Sequence, residues 1–327
     1  MPTQPSVIPL STSDAPHAVS GRHDDVPSQA ISPAGAVCLP AELAELAEAA
    51  GPVVTARAFV VPEGSWDTHA HVIGPFSKYP LQKNRNYTPP ESLESQYVAH
   101  LAALNLQRGV IVQPSIYGTD NRLTIDVVRK SEGVLRGVVV LGPDVDEAAI
   151  AEMHAAGVRG FRLNLLFQGG PGLALLERTA AITQAFGWHA QLLIDIRMLE
   201  EIESRLNKLP VPVVFDHMGH FPHELGTQWP GFRMLLRRLA AGRSYVKLSG
   251  SYRLSAQPTH IEDVCAIAQT LVHEAPERLF WGSDWPHVGL PGELPPTADL
   301  LDALGQWCPD SATRKKILVS NPTDFYD

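Results

Sequence analysis

Two histidines separated by one residue lie near position 70, at the end of the first candidate strand, 65–71. Alternate side chains of an extended strand point to the same side, so His69 and His71 place two imidazoles on one side of the chain. Imidazoles in pairs ligate metal ions or take part in acid–base chemistry. A chain with 13 histidines also produces an isolated His-x-His pair by chance. The pair therefore indicates a functional site only in combination with other chemically active residues.

Other chemically active side chains follow apolar stretches. His217 comes after Val-Val-Phe-Asp and Asp284 after Phe-Trp-Gly-Ser, while Arg162 lies in GFRLNL and Arg253 ends KLSGSYR. Each has a structural explanation on its own: a core histidine, an aspartate that caps a turn or helix, or a solvated arginine. Their joint occurrence at the ends of apolar stretches favours a common site.

The apolar stretches recur eight times and alternate with helical patterns, which is typical of βα units and a parallel sheet. Eight units predict an α/β fold, a (β/α)8 TIM-like barrel with an N-terminal extension. The alternative is an open doubly wound sheet, but no GxGxxG turn follows the first strand. The predicted strands are 65–71, 109–113, 137–141, 160–164, 190–194, 211–216, 245–249 and 279–284.

A barrel explains the placement of the polar residues, because the active site of this fold lies at the carboxyl ends of the strands. Ser115 follows the second strand, and Tyr87 lies in the Pro-rich loop after the first. A loop tyrosine is also compatible with simple packing. Three further histidines near strand ends are expected behind the site or on the surface: His220, His223 and His287.

Composition excludes several classes of function. The chain of 327 residues is 44% hydrophobic, with a net charge of −9 and no basic run, which argues against nucleic-acid binding. An anionic small substrate stays compatible, because local arginines can set the potential of a pocket. No apolar run is long enough to cross a membrane, and the first residues lack the apolar core of a secretion signal.

The cysteines and the first sixty residues complete the organisation of the chain. Cys38, Cys265 and Cys308 form no CxxC pair, which favours reduced thiols and a cytoplasmic location. We predict that residues 1–60 are a partly flexible extension, with a helix over 40–50, and that residues 61–327 form the barrel.

Six motifs in order resemble the amidohydrolase superfamily, and within it the amidohydrolase-related family of metabolic lactonases. The likeness covers about residues 63–327 and is strongest to the branches that hydrolyse 2-pyrone-4,6-dicarboxylate and 4-sulfomuconolactone, with the galactarolactone isomerases further away. The motifs are DTHAHVIGP (67–75), VQPSIYGTDN (112–121), GFRLNL (160–165), FDHMG (215–219), KLSGSYR (247–253) and WGSDWPH (281–287).

The resemblance implies a role for each residue of the site. The reaction centre would comprise His69, His71, His217 and Asp284. The substrate-binding group would comprise Tyr87, Ser115, Arg162 and Arg253. Two positions depart from the pattern of the pyrone hydrolases: Gln168 replaces an arginine, and Val288–Gly289 replace an asparagine. These departures favour a differently substituted lactone, such as a sulfonated muconolactone.

Lactone opening by water needs a base, an electrophile for the carbonyl oxygen and a proton for the leaving oxygen. Asp284 is the expected general base, and the arginines are expected to bind a carboxylate or sulfonate. The three histidines would polarise the carbonyl directly, or with Asp284 hold one Zn²⁺ that does so. A two-metal site is not expected, because Arg162 and Asn164 stand where a bridging carboxylate is needed.

Other functions stay open from the sequence. A metal-dependent decarboxylase of an aromatic or muconate acid would use the same pocket, as would a sugar-acid lactone isomerase. A barrel that only binds an acid has no need of a base beside three imidazoles. The expected partner is therefore a small anionic lactone, with neither nucleic acid nor membrane, and the sequence leaves the oligomeric state open.

Overall fold

The structure, a computed structural model, describes residues 58–166, 172–259, 261–290 and 292–327. The helix predicted over 40–50, nearly all of the predicted extension 1–60, and Gln168 therefore lie outside the described residues. Within the described ranges, no helix has both the length and the apolar character needed to cross a membrane.

Eight strands form a single parallel sheet in sequence order, and each strand pairs with the next along the chain. The predicted (β/α)8 barrel is confirmed, and the open doubly wound alternative is wrong, since its strands would not follow sequence order. The strands are β1 (Trp66–Ala70), β2 (Arg108–Val112), β3 (Leu135–Val139), β4 (Val158–Asn164), β5 (His189–Leu193), β6 (Val213–Phe215), β7 (Ser244–Leu248) and β8 (Leu279–Trp281).

The barrel closes where β1 meets the segment that follows β8. The amide of Asp284 donates to the carbonyl of His69 at 2.8 Å, and the amide of His71 donates to the carbonyl of Trp285 at 2.8 Å. The Thr68 hydroxyl also donates to the carbonyl of Trp281 at 2.8 Å. Closure therefore brings two chemically active segments, far apart in sequence, into direct backbone contact.

Helices follow the strands and cover the outside of the barrel, so both faces of the sheet are buried. The helix Pro230–Ala240 begins with a proline, whose fixed φ suits the first helical turn, and the Asp146 side chain accepts from the amide of Ala149 to cap the helix Glu147–Ala155. The helices are α1 (Glu94–Ala103), α2 (Arg122–Lys130), α3 (Glu147–Ala155), α4 (Leu176–Thr183), α5 (Leu199–Leu206), α6 (Pro230–Ala240), α7 (Cys265–Glu274), α8 (Thr297–Trp307), α9 (Ser311–Lys315) and α10 (Asn321–Tyr326).

Seven of the eight strands end one to three residues earlier than the sequence predicts, and two of these ends lead directly into site residues. β6 ends at Phe215 rather than 216, and β8 ends at Trp281 rather than 284. The chain leaves the sheet there because His217 and Asp284 adopt positive φ angles of 50° and 60°, a left-handed conformation that a strand does not accommodate. The turns aim these two side chains toward the barrel axis instead of along the strand.

Candidate active site

A cavity of about 360 Å³ lies at the carboxyl ends of the strands, and the predicted site residues converge on it. His69 does not line the cavity; its side chain is fully buried directly behind Asp284. The other seven predicted residues line the cavity, together with five more, in the order His71, Tyr87, Ser115, Arg162, Asn164, Leu193, His217, His220, Arg253, Asp284, Val288 and Gly289.

Asp284 is the centre of the histidine cluster. Its Oδ1 lies 3.9 Å from Nε2 of His69 and 3.8 Å from Nε2 of His71. Its Oδ2 lies 3.9 Å from Nε2 of His217. These separations exceed a direct hydrogen bond. The three Nε2 atoms thus surround one carboxylate at a distance that leaves room for a small group between them.

The opposite nitrogen of each ring faces a polar group of the barrel, which accepts or exchanges a hydrogen bond with His71 and His217 but only contacts His69. Nδ1 of His71 lies 2.7 Å from the carbonyl of Val112, and Nδ1 of His217 lies 3.0 Å from the Ser249 hydroxyl. Nδ1 of His69 lies 3.2 Å from a carboxylate oxygen of Asp216. A carbonyl only accepts hydrogen bonds, so Nδ1 of His71 carries the proton. In the neutral ring, Nε2 of His71 then presents a lone pair toward Asp284.

Burial sets the charge of these rings. Burial lowers the pKa of His71 to about 3, with further lowering by His69 and Arg162. Burial also lowers the pKa of His69 and holds the pKa of His217 well below its usual range. All three imidazoles are therefore neutral near pH 7.

The Asp284 carboxylate stays ionised although it is fully buried. Burial by itself raises its pKa, but the permanent charge of Arg253 outweighs burial and holds the pKa well below its ordinary value. Nε of Arg253 donates to Oδ2 at 2.6 Å, and the Tyr252 hydroxyl donates to the same oxygen at 2.6 Å. Oδ1 is consequently the oxygen that faces His69 and His71.

A second set of side chains forms a cationic and polar wall of the cavity. Burial raises the pKa of the Tyr87 hydroxyl, while Ser115, Arg162 and Arg253 each lower it, so these four groups lie within electrostatic reach of one another. Arg162 donates to Asp216 at 3.2 Å and to the carbonyl of Gln113 at 3.3 Å. These contacts hold its guanidinium at the cavity, where it can receive an anionic group.

The cluster also fits a metal ion. One candidate set of ligand atoms, all within 4.8 Å of one another, comes from His69, His71 and Asp284, and another comes from His69, Asp216 and His217. Nε2 of His69 and Oδ1 of Asp284 are buried without a hydrogen-bond partner in the described part of the chain. Buried polar atoms without partners are rare, and a metal ion would satisfy both.

The structure identifies residues that the sequence did not. Tyr252 is fully buried against Asp284, and its hydroxyl also contacts Nδ1 of His287 at 3.0 Å. Its position next to Arg253 in KLSGSYR was the available signal. His220, expected behind the site or on the surface, lines the cavity, because positive φ angles at His217, Met218 and His220 turn the loop back toward the barrel axis.

Two more residues support the cluster from below. Lys247 is fully buried and donates to the carbonyl of Thr68 at 2.6 Å and to Gln191 at 2.8 Å. Burial lowers its pKa to about 7. Asp67 accepts from the amide and hydroxyl of Ser283 at 2.8 and 2.6 Å, and thereby ties the start of the His-x-His segment to the segment that carries Asp284.

With this geometry in place, the amidohydrolase family model matches residues 66–327. This chain belongs to the amidohydrolase family. It is 37% identical over 273 residues to a 4-sulfomuconolactone hydrolase of Hydrogenophaga intermedia, covering 82% of this chain and 90% of the relative. It is 31% identical over 280 residues to a 2-pyrone-4,6-dicarboxylate hydrolase of Comamonas testosteroni, covering 82% and 92%.

A solved structure shares the fold of this amidohydrolase. An apo crystal structure of an Agrobacterium tumefaciens protein is similar with a TM-score of 0.75 and 29% sequence identity, covering 82% of this chain and 97% of that one. The barrel begins with β1 at Trp66, and the match to the family model begins at the same residue.

Proposed function

We propose that this amidohydrolase opens a small anionic lactone by hydrolysis. The observation that carries the proposal is an ionised, fully buried Asp284 surrounded by three neutral imidazoles, in a cavity that Arg162 and Arg253 also line. Such a pocket combines a base, electrophilic groups and anion-binding groups. The named relatives act on lactones that carry acidic substituents, which supports the same class of substrate here.

The roles of the side chains follow from their positions. Oδ1 of Asp284 would accept a proton from the attacking water and later deliver it to the ring oxygen as the C–O bond breaks. Arg162 and Arg253, with Tyr87 and Ser115, would hold the acidic substituents and so orient the carbonyl toward that water.

We further propose one zinc ion, held by His69, His71, His217 and Asp284. When bound, it would polarise the lactone carbonyl and make water more acidic. The tautomer of His71 supports the ion over direct hydrogen bonding, because an unprotonated Nε2 can ligate a metal but cannot donate to an oxyanion. The anchored Nδ1 atoms are also typical of histidine ligands in metal sites.

The substrate we favour is a sulfonated muconolactone rather than the pyrone dicarboxylate. Val288 and Gly289 line the cavity where the pyrone hydrolase pattern has an asparagine; the Val288 side chain is apolar and Gly289 has none, so neither replaces the amide's hydrogen bonds. The carbonyl of Val288 accepts from Arg253 at 2.9 Å, which orients that guanidinium toward the cavity. A sulfonate bound there would interact mainly with the charged guanidinium of Arg253 rather than with the side-chain amide of an asparagine.

We also propose that the enzyme acts in the cytoplasm on this metabolite, without nucleic acid as a partner. Cys265 and Cys308 are free thiols in the structure, which supports a reducing compartment. The acidic balance of the chain, with a net charge of −9, supports a small-molecule partner over a polyanion.

Elemental analysis combined with an acid-release assay tests the proposal. We expect about one zinc per chain and acid release from 4-sulfomuconolactone. Chelation should remove the zinc and abolish acid release. Acid release that survives removal of all metal would contradict the zinc proposal but keep the hydrolase. Carbon dioxide from an aromatic or muconate acid, with no acid release from any lactone, would replace hydrolysis by decarboxylation. Conversion of a sugar-acid lactone to its isomer would indicate an isomerase.

A matched pair of variants links the activity to the proposed base. Asp284→Asn should lower kcat by about 10²- to 10⁴-fold, the usual contribution of a general base. Asp195→Asn is the control: Asp195 also follows a strand at this end of the barrel, but its carboxylate pairs with Arg197 at 2.6 Å and lies outside the cavity lining. Equal activity in the two variants would contradict the assignment.

A further inference from the structure

A second cavity lies at the opposite end of the barrel from the candidate active site. Its volume is about 560 Å³, and it lies between α5 and α6, beside the amino-terminal ends of β6 and β7. Ser244 begins β7 at this second cavity, whereas Ser249, whose hydroxyl contacts His217 of the candidate active site, follows the other end of β7. Five residues of extended strand separate the two serines by roughly 17 Å. The polar lining consists of Glu203, Asn207, Arg237, Arg238, Arg243 and Ser244.

Two buried polar atoms of this lining have no hydrogen-bond partner among the described residues: Nε of Arg238 and the hydroxyl oxygen of Ser244. Arg238 is only 8% exposed and Ser244 only 1%. A buried donor without an acceptor is costly, and native structures usually satisfy it with a bound group. Both residues line the same cavity, so one ligand that displaces the side chains packed over these two atoms could satisfy both.

The Arg238 guanidinium is held in place for such a ligand. Its Nη1 donates to the Asn207 side chain at 2.6 Å. This contact occupies Nη1. Nε and the adjacent Nη2 form the edge of the guanidinium that can bind two oxygens of an anion at once. Burial lowers the pKa of Arg238 and outweighs the carboxylate of Glu203, which raises it, while Arg243 lowers it further, so the cationic form is only partly compensated by its surroundings.

The charge of the cavity favours an anion. Three arginines line it, and Glu203 is the one acidic side chain among the described lining residues. Arg243 is itself oriented by donation to the carbonyl of Leu209 at 2.6 Å. Guanidinium groups and a serine hydroxyl are all hydrogen-bond donors, which is the complement of a phosphate or sulfate surface.

We propose that this cavity binds a small tetrahedral oxyanion of the phosphate or sulfate class. Nε and Nη2 of Arg238 contact two of its oxygens, the Ser244 hydroxyl donates to one of them, and Arg237 and Arg243 supply charge from the rim. The site is separate from the candidate active site and independent of the lactone proposal. A ligand bound only by the folded chain also stabilises that chain.

Calorimetric titration of the full-length protein with sodium phosphate, and separately with sodium sulfate, tests the site. Ser244→Ala removes a hydroxyl without a partner, so this variant should fold with undiminished stability. We expect it to weaken phosphate binding about fivefold to tenfold, and Arg238→Met to weaken it about tenfold to a hundredfold, as expected for lost charge-assisted hydrogen bonds. Any phosphate binding at the active site is common to all variants and cancels.

Arg233→Met is the matched control, because Arg233 is exposed on the same helix α6 and is absent from the lining. It should leave the phosphate titration unchanged. Identical phosphate and sulfate affinities in the wild type, Ser244→Ala and Arg238→Met would overturn the proposal. So would binding of succinate at this site without any binding of phosphate or sulfate. Binding of one tetrahedral anion and not the other would support the site and identify its ligand.

Discussion

Asp284 has two oxygens in different environments, and this asymmetry underlies the proposed chemistry. Oδ2 accepts from Tyr252 and from Arg253, each at 2.6 Å. Oδ1 is buried without a partner among the described residues and faces two imidazoles. One oxygen therefore fixes the orientation of the carboxylate, and the other stays available for a water proton or a metal.

Tyr252 acts as a positioning residue through Asp284. Tyr252→Phe should lower kcat about tenfold, the worth of one hydrogen bond to a charged group, with a much smaller change in KM because Tyr252 lies outside the cavity lining. Steady-state lactone kinetics measure both. Tyr245→Phe is the control, since the Tyr245 hydroxyl contacts only Arg278 in the described structure. A rise in KM with unchanged kcat would disprove the positioning role.

The pH dependence follows from the charge states of the free enzyme. The base form of Asp284 is lost only as the pH falls through its pKa, which lies well below 3.8, and His71, with a pKa of about 3, stays neutral above that pH. Because kcat/KM reports the free enzyme, we expect the titration of these two side chains to leave it flat from neutral pH down to about pH 5. An acidic limb with a midpoint near 6.5 would show that an ordinary histidine must be neutral.

At the scale of elements, the contact between β1 and the segment after β8 assembles the site. A Cβ on Gly282 would lie 2.7 Å from Cβ of His69 and 2.9 Å from its backbone nitrogen. Only a residue without a side chain permits this approach. Ser283, the next residue, then reaches Asp67 with both its amide and its hydroxyl.

Gly282→Ala should therefore disturb stability and the site together. We expect the free energy of unfolding to fall by about 1–3 kcal/mol from overpacking, with lower zinc content as β1 moves away. Thermal unfolding and elemental analysis measure the two effects. Gly142→Ala is the matched control, because its Cβ would meet Thr119 at an ordinary 3.6 Å. Full stability in Gly282→Ala would contradict the close approach.

At the scale of the whole molecule, the two ends of the barrel have different tasks. A small apolar cluster of Trp66, Val110, Val112, Val138 and Tyr326 is buried outside the lining of the candidate site's cavity, and it reaches the site only at Val112, whose carbonyl contacts His71. The packing of this cluster stabilises the fold, whereas the residues at the carboxyl ends of the strands carry the chemistry.

Tyr326 separates these two tasks experimentally. Tyr326→Ala should lower the free energy of unfolding by about 3–5 kcal/mol, as for other buried aromatics, while kcat of the folded protein stays unchanged. Tyr326→Phe is the control: the hydroxyl is buried with no partner in the described ranges, so its removal should cost nothing. Denaturant unfolding and lactone kinetics provide the two readouts. A loss of kcat in folded Tyr326→Ala would couple the two ends.

The sequence by itself determined the architecture and seven of the residues that line the cavity. Eight short apolar stretches alternating with helical patterns are a local property of the chain, and they predicted all eight strands, with errors of one to three residues at most ends. The position of a side chain relative to a strand end is equally local. His69, His71, His217 and Asp284 could therefore be singled out before any contact was known.

Only the tertiary structure decided which atoms meet. The hydrogen bond from Tyr252 to Asp284 spans 32 residues, and the one from Ser283 to Asp67 spans 216. Such contacts depend on barrel closure and on left-handed turns after β6 and β8, which no periodicity encodes. The proton on His71 and the charge on Asp284 likewise depend on burial and on neighbours brought together from distant strands, because desolvation and Coulomb interactions act through space.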